Sequence, residues 1–258
     1  MLIKITKLIL STIKCLFGYL YFLIKNKNIK NINSSFVSFY CLTKGLSNSI
    51  FNYVIMLNYK FKKKKKLNFP DNKYNPNLEE TLKEINETAY SVIPKYLDNI
   101  KIDKILAIIN KMECTYILDD QVLKSNSIDE VPDQAKVIDL DENELLKEDI
   151  IKNIIHDPLF YQVAKKYFQS IPILTNVGLR ISRISEKPKS KEAQFYHFDM
   201  DRPKWLKFFI YLNDVDSEEH GPHCFIKYSH KTFSKPYKLL LRGYERIHDE
   251  EIFKFFKK

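Results

Sequence analysis

QFYHFD, residues Gln194 to Asp199, is a short aromatic-rich run of the kind that forms strands. Successive side chains of a strand point to opposite faces. His197 and Asp199 therefore project together, while Tyr196 and Phe198 pack on the other side. An imidazole and a carboxylate on one face are two of the three ligands of a 2-His-1-carboxylate facial triad. That triad leaves open positions on Fe(II) for a co-substrate and O₂. A bare His-x-Asp is most often a surface pair in a turn, so its surroundings decide its meaning.

Downstream stand WLKFFIYLNDVD (Trp205 to Asp216) and GPHCFIKYSHK (Gly221 to Lys231). Trp205–Leu212 and His223–Lys227 are aromatic-rich and bounded by turn residues, so both are predicted strands. Upstream, VGLRISRI (Val177 to Ile184) alternates, with Leu179 and Ile181 on one face and Arg180 and Ser182 on the other. Residues before 170 are helical in pattern. NLEETLKEINETAYSVIPKYL (Asn77 to Leu97) places Leu78, Leu82, Ile85 and Ala89 at spacings of three and four, with Pro94 expected to end or kink the helix. Ile102–Met112, Glu144–Ile155 and Pro158–Phe168 read as further helices, and Asp119–Glu142 reads as loop. A helical first part followed by a strand-rich one predicts an α+β fold.

The ordered series HxD, LKFFIYLNDVD and GPHCFIKYSHK resembles the phytanoyl-CoA dioxygenase family of Fe(II)/2-oxoglutarate oxygenases, closely over 193–231 and loosely over RGYERIHDEEI (Arg242 to Ile252). The resemblance implies part of a double-stranded β-helix, a jelly roll, for residues 171–258. It implies hydroxylation of a small-molecule substrate with Fe(II) as metal and 2-oxoglutarate as co-substrate. His197 and Asp199 match the first His and the carboxylate of the iron site. Gln194 stands where the family often has a polar residue near the co-substrate. Arg180 or Arg183 is within the reach of a 2-oxoglutarate carboxylate, alternation leaving open which faces inward; the simpler reading of both is surface charge. The family's second iron His and the Arg for the far carboxylate have no matching segment before Lys258, and His248 lies in a charged, helix-like stretch. The resemblance thus implies a chain that stops before the jelly roll closes, the front part of an oxygenase. The alternative is a non-catalytic membrane-surface or interaction protein that retains a remnant of the fold. A zinc site from His220, His223, Cys224 and His230 is the weakest reading, since a hairpin with Gly221-Pro222 inside it explains these residues without metal.

Charge divides the chain differently. The net charge is +10 over 258 residues, yet residues 1–66 hold 13 lysines and no acid. The remaining 192 residues carry 29 basic and 32 acidic side chains, so the basic excess is not a property of the fold as a whole. Three regions follow: a basic, apolar segment 1–66, a helical part 67–170 and the predicted partial jelly roll 171–258. Residues 8–24 (LILSTIKCLFGYLYFLI) fall short of the roughly 20 apolar residues of a spanning helix and carry Lys14. They read as a marginal or interfacial membrane helix, or as a helix packed on the domain. A second apolar patch, Ile50–Leu57, precedes Lys60 and the run Lys62–Lys66, a pattern that anionic lipid head groups attract. Membrane association would suit a lipid-like substrate. No nucleic-acid partner is expected, because the segment has no Arg and no reading motif. Cys15, Cys41, Cys114 and Cys224 are widely spaced without a CxxC pair, which points to a reducing, cytoplasmic setting.

Overall fold

The computed structural model describes residues 2–25, 32–61, 78–119, 121–183, 195–199, 204–243 and 245–256. Three helices come first: α1 (Leu2–Lys25), α2 (Ile32–Thr43) and α3 (Leu46–Phe61). Leu8 and Cys15 of α1, two turns apart, are buried, and α1 packs along α2. The α2–α3 turn runs through Lys44 and Gly45, at φ 53° and 87°. The Gly45 N–H donates to the Tyr40 carbonyl at 3.0 Å. A Cβ on Gly45 would lie 3.1 Å from the Tyr40 ring, so the left-handed turn and the close approach both require glycine.

The middle of the chain builds two cores. Helix α4 (Leu78–Thr88) buries Leu78, Leu82 and Ile85 against Leu159 and Val163 of α8 (Pro158–Phe168). The predicted helix to Leu97 ends early, at Thr88, because Ala89 turns to φ 83° ahead of Pro94. Helix α5 (Asn99–Ile109) starts at Asp98, whose carboxylate accepts the Lys101 N–H. Its Ile105 and Ile109 join Cys114, Ile138, Leu140 and Leu145 in the largest core. Short helices α6 (Glu142–Leu145) and α7 (Asp149–Ile155) follow, α6 capped by Asp141.

The sheet lies where a loop was expected. Strands β1 (Cys114–Leu118), β2 (Gln121–Ser125), β3 (Val137–Leu140) and β4 (Arg180–Ser182) form an antiparallel sheet in the order β2-β1-β3-β4. Two of them fall inside the predicted loop 119–142. Strand β2 is exposed at Gln121, Val122 and Lys124, and the apolar signal is carried by the short stretch Val137-Ile138 and by Leu140. Asp119, at φ 47°, turns β1 into β2 with Leu118 opposite Gln121. Strand β4 keeps the predicted alternation: Leu179 and Ile181 pack on the core, while Arg180 and Ser182 are exposed.

The aromatic runs after 194 do not become strands. Trp205–Leu212 and His223–Lys227 form none, and Tyr196 makes one isolated antiparallel bridge with Ile247. Their rings pack singly on α8 and on the segment after α4 instead. Phe208 sits 4.7 Å from Phe160 of α8, and Phe225 stacks at 5.8 Å on Tyr90. Short turns and helices α9 (Tyr237–Leu240) and α10 (Asp249–Ile252) complete this region. The molecule is α+β; its sheet joins residues 114–140, unexpected as strands, to the predicted strand at Arg180–Ser182, and the aromatic runs after 194 add no strand to it among the described residues. The N-terminal helices are joined to this last region: Tyr40 and Cys41 of α2 share a buried cluster with Leu240 and pack against Phe198. Among the described residues no helix is long and apolar enough to cross a membrane.

Candidate functional site

Three anchors hold the segment 196–199. The Ile247 N–H donates to the Tyr196 carbonyl at 2.8 Å. The Trp205 indole N–H donates to the Asp199 carbonyl at 3.3 Å. The Phe198 ring lies 5.9 Å from the Tyr40 ring of α2. With Tyr196 packed beside Phe253 and Phe198 beside Tyr40, His197 and Asp199 are left to project together, as alternation predicts.

His197 Nε2 lies 3.3 Å from Asp199 Oδ1, and both side chains are about four-fifths buried, at 22% and 21% exposure. His197 Nδ1 lies 2.8 Å from the Phe195 carbonyl. A carbonyl oxygen can only accept, so this contact draws hydrogen to Nδ1, while the Arg246 N–H 3.4 Å away asks the same nitrogen to accept. An Nε2–H would donate directly to Asp199 Oδ1; an Nε2 lone pair would need a cation shared with that oxygen, a proton or a metal ion. Two donors bound cis to one metal at about 2.1 Å lie about 3.0 Å apart. The observed separation fits that requirement. The carbonyl behind Nδ1 is the partner that metal-binding histidines ordinarily have, fixing tautomer and ring orientation.

Two cations border the pair. Lys207 Nζ donates to the other carboxylate oxygen, Asp199 Oδ2, at 2.6 Å, and Arg246 Nη1 lies 3.4 Å from His197 Nδ1. Lys207 also lies over the Trp205 ring, 4.9 Å from its centroid. Behind it stands His223, whose Nδ1 is 2.7 Å from the Tyr211 hydroxyl. Burial and the Lys207 charge together hold His223 below the ordinary imidazole range. The His248 ring packs on Phe195 at 4.0 Å, one residue from the carbonyl that orients His197. On the Phe198 side, Lys235 Nζ donates to the Tyr40 hydroxyl at 2.8 Å and to the Ser229 carbonyl. Desolvation pushes the Lys235 ammonium down to about 8, and the buried Tyr40 and Cys41 up to about 12.

The other sequence candidates lie apart from this pair in their bonding. Arg180 forms a two-pronged ion pair with Asp139, its opposite residue on β3, at 2.6 and 2.8 Å. Arg183 donates to the Pro132 carbonyl at 2.7 Å. Both guanidiniums are engaged by the sheet and its loop. Gln194 lies outside the described residues. The zinc set does not converge: His220 pairs with Asp216, His223 with Tyr211, Cys224 with the Pro222 carbonyl and His230 with the Asn86 carbonyl. Among the described residues no three His, Cys, Asp or Glu side chains come together as a metal site. Neither Lys207 nor Arg246 was singled out in the sequence as part of this site. The signal for Arg246 was its place in the loosely matching RGYERIHDEEI. Compared with protein-family models, curated proteins and solved structures, the chain matches none.

Proposed function

We propose that the chain provides the His-x-Asp half of a non-haem Fe(II) centre of the 2-oxoglutarate oxygenase type, resembling the phytanoyl-CoA dioxygenase family. The observation that carries the reading is the pairing of His197 Nε2 with Asp199 Oδ1 at 3.3 Å, with Nδ1 committed to the Phe195 carbonyl. His197 and Asp199 would hold the metal. When bound, the metal supplies the chemistry that couples oxidative decarboxylation of 2-oxoglutarate to hydroxylation of a C–H bond. O₂ is consumed, succinate and CO₂ are released, and the second oxygen atom enters the substrate.

The chain's own residues contribute position and charge. The Phe195 carbonyl fixes the orientation of the imidazole, and Lys207 orients the carboxylate through its second oxygen. Arg246 and Lys207 place two positive charges beside the pair, where a dianionic co-substrate is favoured. These two, rather than Arg180 and Arg183, are the cations to test for 2-oxoglutarate. The finer fold reading, a jelly roll completed around this segment, belongs to the same proposal.

A second reading has its own observation. The Lys207 ammonium offsets the Asp199 charge without any metal, as expected of a non-catalytic remnant. Succinate release from 2-oxoglutarate under air, with Fe(II) and ascorbate, separates the two. The oxygenase reading predicts slow uncoupled turnover that His197→Ala and Asp199→Ala abolish and Arg246→Met weakens by raising the 2-oxoglutarate requirement about tenfold or more. Turnover absent from the intact chain, or equal in all variants, supports the remnant.

A further inference from the structure

We infer that the exposed apolar faces of α1 and α3 seat this protein on an anionic membrane surface, with α1 lying in the plane of the interface. This does not depend on the metal reading. In α1, Ile9, Ile13, Leu16, Phe17 and Tyr21 are large, apolar or aromatic, and exposed, Phe17 at 68%. Their spacings of three and four put them on one stripe. The opposite side, through Leu8 and Cys15, is already buried against the rest of the molecule. The stripe is therefore surplus to the core. In α3, Leu46, Ile50, Tyr53, Val54 and Phe61 repeat the pattern, Phe61 being 83% exposed.

Charge selects the occupant. Lys7, Lys14 and Lys25 are exposed and recur at intervals of seven and eleven residues, close to whole numbers of turns. They form a row along the border of the α1 stripe. Lys60 is exposed beside Phe61 on α3. Residues 1–66 contain no acid to oppose them. A surface that is apolar in its middle and uniformly cationic at its edge matches acyl chains below anionic head groups. A second copy of the chain fits worse, because a two-fold contact through α1 would bring two lysine rows together. Nucleic acid offers the lysines phosphates but nothing apolar for Ile13 and Phe17. Spanning is not the mode, since no described helix is long and apolar enough; lying flat keeps α1 on α2.

The test is flotation of the full-length chain with vesicles of phosphatidylcholine alone or with 30 mol% phosphatidylserine (about one lipid in three). The expected result is binding to the mixed vesicles, much weaker binding to the neutral ones, and loss with rising salt. Leu10→Asp with Phe17→Asp, both exposed positions, abolishes it while the thermal melt stays unchanged. Lys7, Lys14 and Lys25 replaced together by Gln weaken it by about a hundredfold, from roughly fivefold per lysine. The proposal is overturned if the intact chain floats with neither vesicle, or if the double Asp variant binds as well as the parent. It is also overturned if the parent is a dimer in light scattering that the same substitutions make monomeric.

Discussion

The imidazole of His197 shows how much a single hydrogen bond decides. Its Nδ1 sits on a carbonyl, and that bond turns its Nε2 toward Asp199. That relation was half legible in the sequence: the i, i+2 spacing gave the common face, but not the orientation of the ring. Lys207 and Arg246 were not legible, because they come from runs whose role depends on folding against segment 196–199. Two predictions belong at this scale. Burial pushes the Cys41 thiol up to about 12 and leaves Cys224 exposed. Alkylation of the native protein at pH 8, followed by mass spectrometry, should label Cys224 within minutes and leave Cys41 unmodified; equal labelling of the two would contradict the packing around Lys235. The Lys235 ammonium, pushed down to about 8, gives a pH signature. Above that value the unfolded chain holds the extra proton up to roughly pH 10.4, so stability rises with pH. Tyr40 and Cys41 act in the opposite sense once their unfolded counterparts ionise, from about pH 8.5 upward for the thiol. Between about pH 7.5 and 8.5 the melting temperature should climb by about 2 °C, and Lys235→Met should flatten the climb.

At the scale of elements, the helices were legible and the sheet was not. Helices α4, α5, α7 and α8 announce themselves by spacings of three and four, and α8 also by Pro158 at its start. Strands β2 and β3 are short, β2 is exposed at Val122 as well as at Gln121 and Lys124, and β3 is buried at Val137, Ile138 and Leu140, so neither shows a clean period of two. The aromatic runs after 204 carry a strand composition, yet their rings find partners on α8 and Tyr90 and their backbones pair with no strand. Composition reports a preference for a half-buried pleated surface, and packing elsewhere overrode it. Ile105 is 1% exposed at the centre of the largest core, so Ile105→Ala should cost about 2–5 kcal/mol in urea unfolding. Val122 is 71% exposed on β2, so Val122→Ala should fall within about 0.5 kcal/mol of the parent. The Arg180–Asp139 pair is half-exposed, and Arg180→Gln should change stability by no more than about 1 kcal/mol. The same variant should leave any 2-oxoglutarate turnover intact; a large rise in the co-substrate requirement would return Arg180 to the site.

Across the whole molecule, the basic N-terminal helices and the His197–Asp199 segment share one buried cluster through Tyr40, Cys41, Phe198 and Leu240. The sequence showed the charge boundary near residue 66 but not this contact, since nothing in a lysine-rich segment names the distant residues it covers. Deleting residues 1–61 should lower the melting temperature by about 5 °C or more, because Leu240 and Phe198 lose their cover. An unchanged melt would make the helices an independent appendage. The central claim is that His197 and Asp199 share a divalent cation. Anaerobic titration of the intact chain with Co(II), followed by its visible absorption, tests this most directly. The account predicts one cobalt per chain, lost in both His197→Ala and Asp199→Ala and retained in Arg180→Gln. No binding by the intact chain, or binding untouched by the first two substitutions, would contradict it.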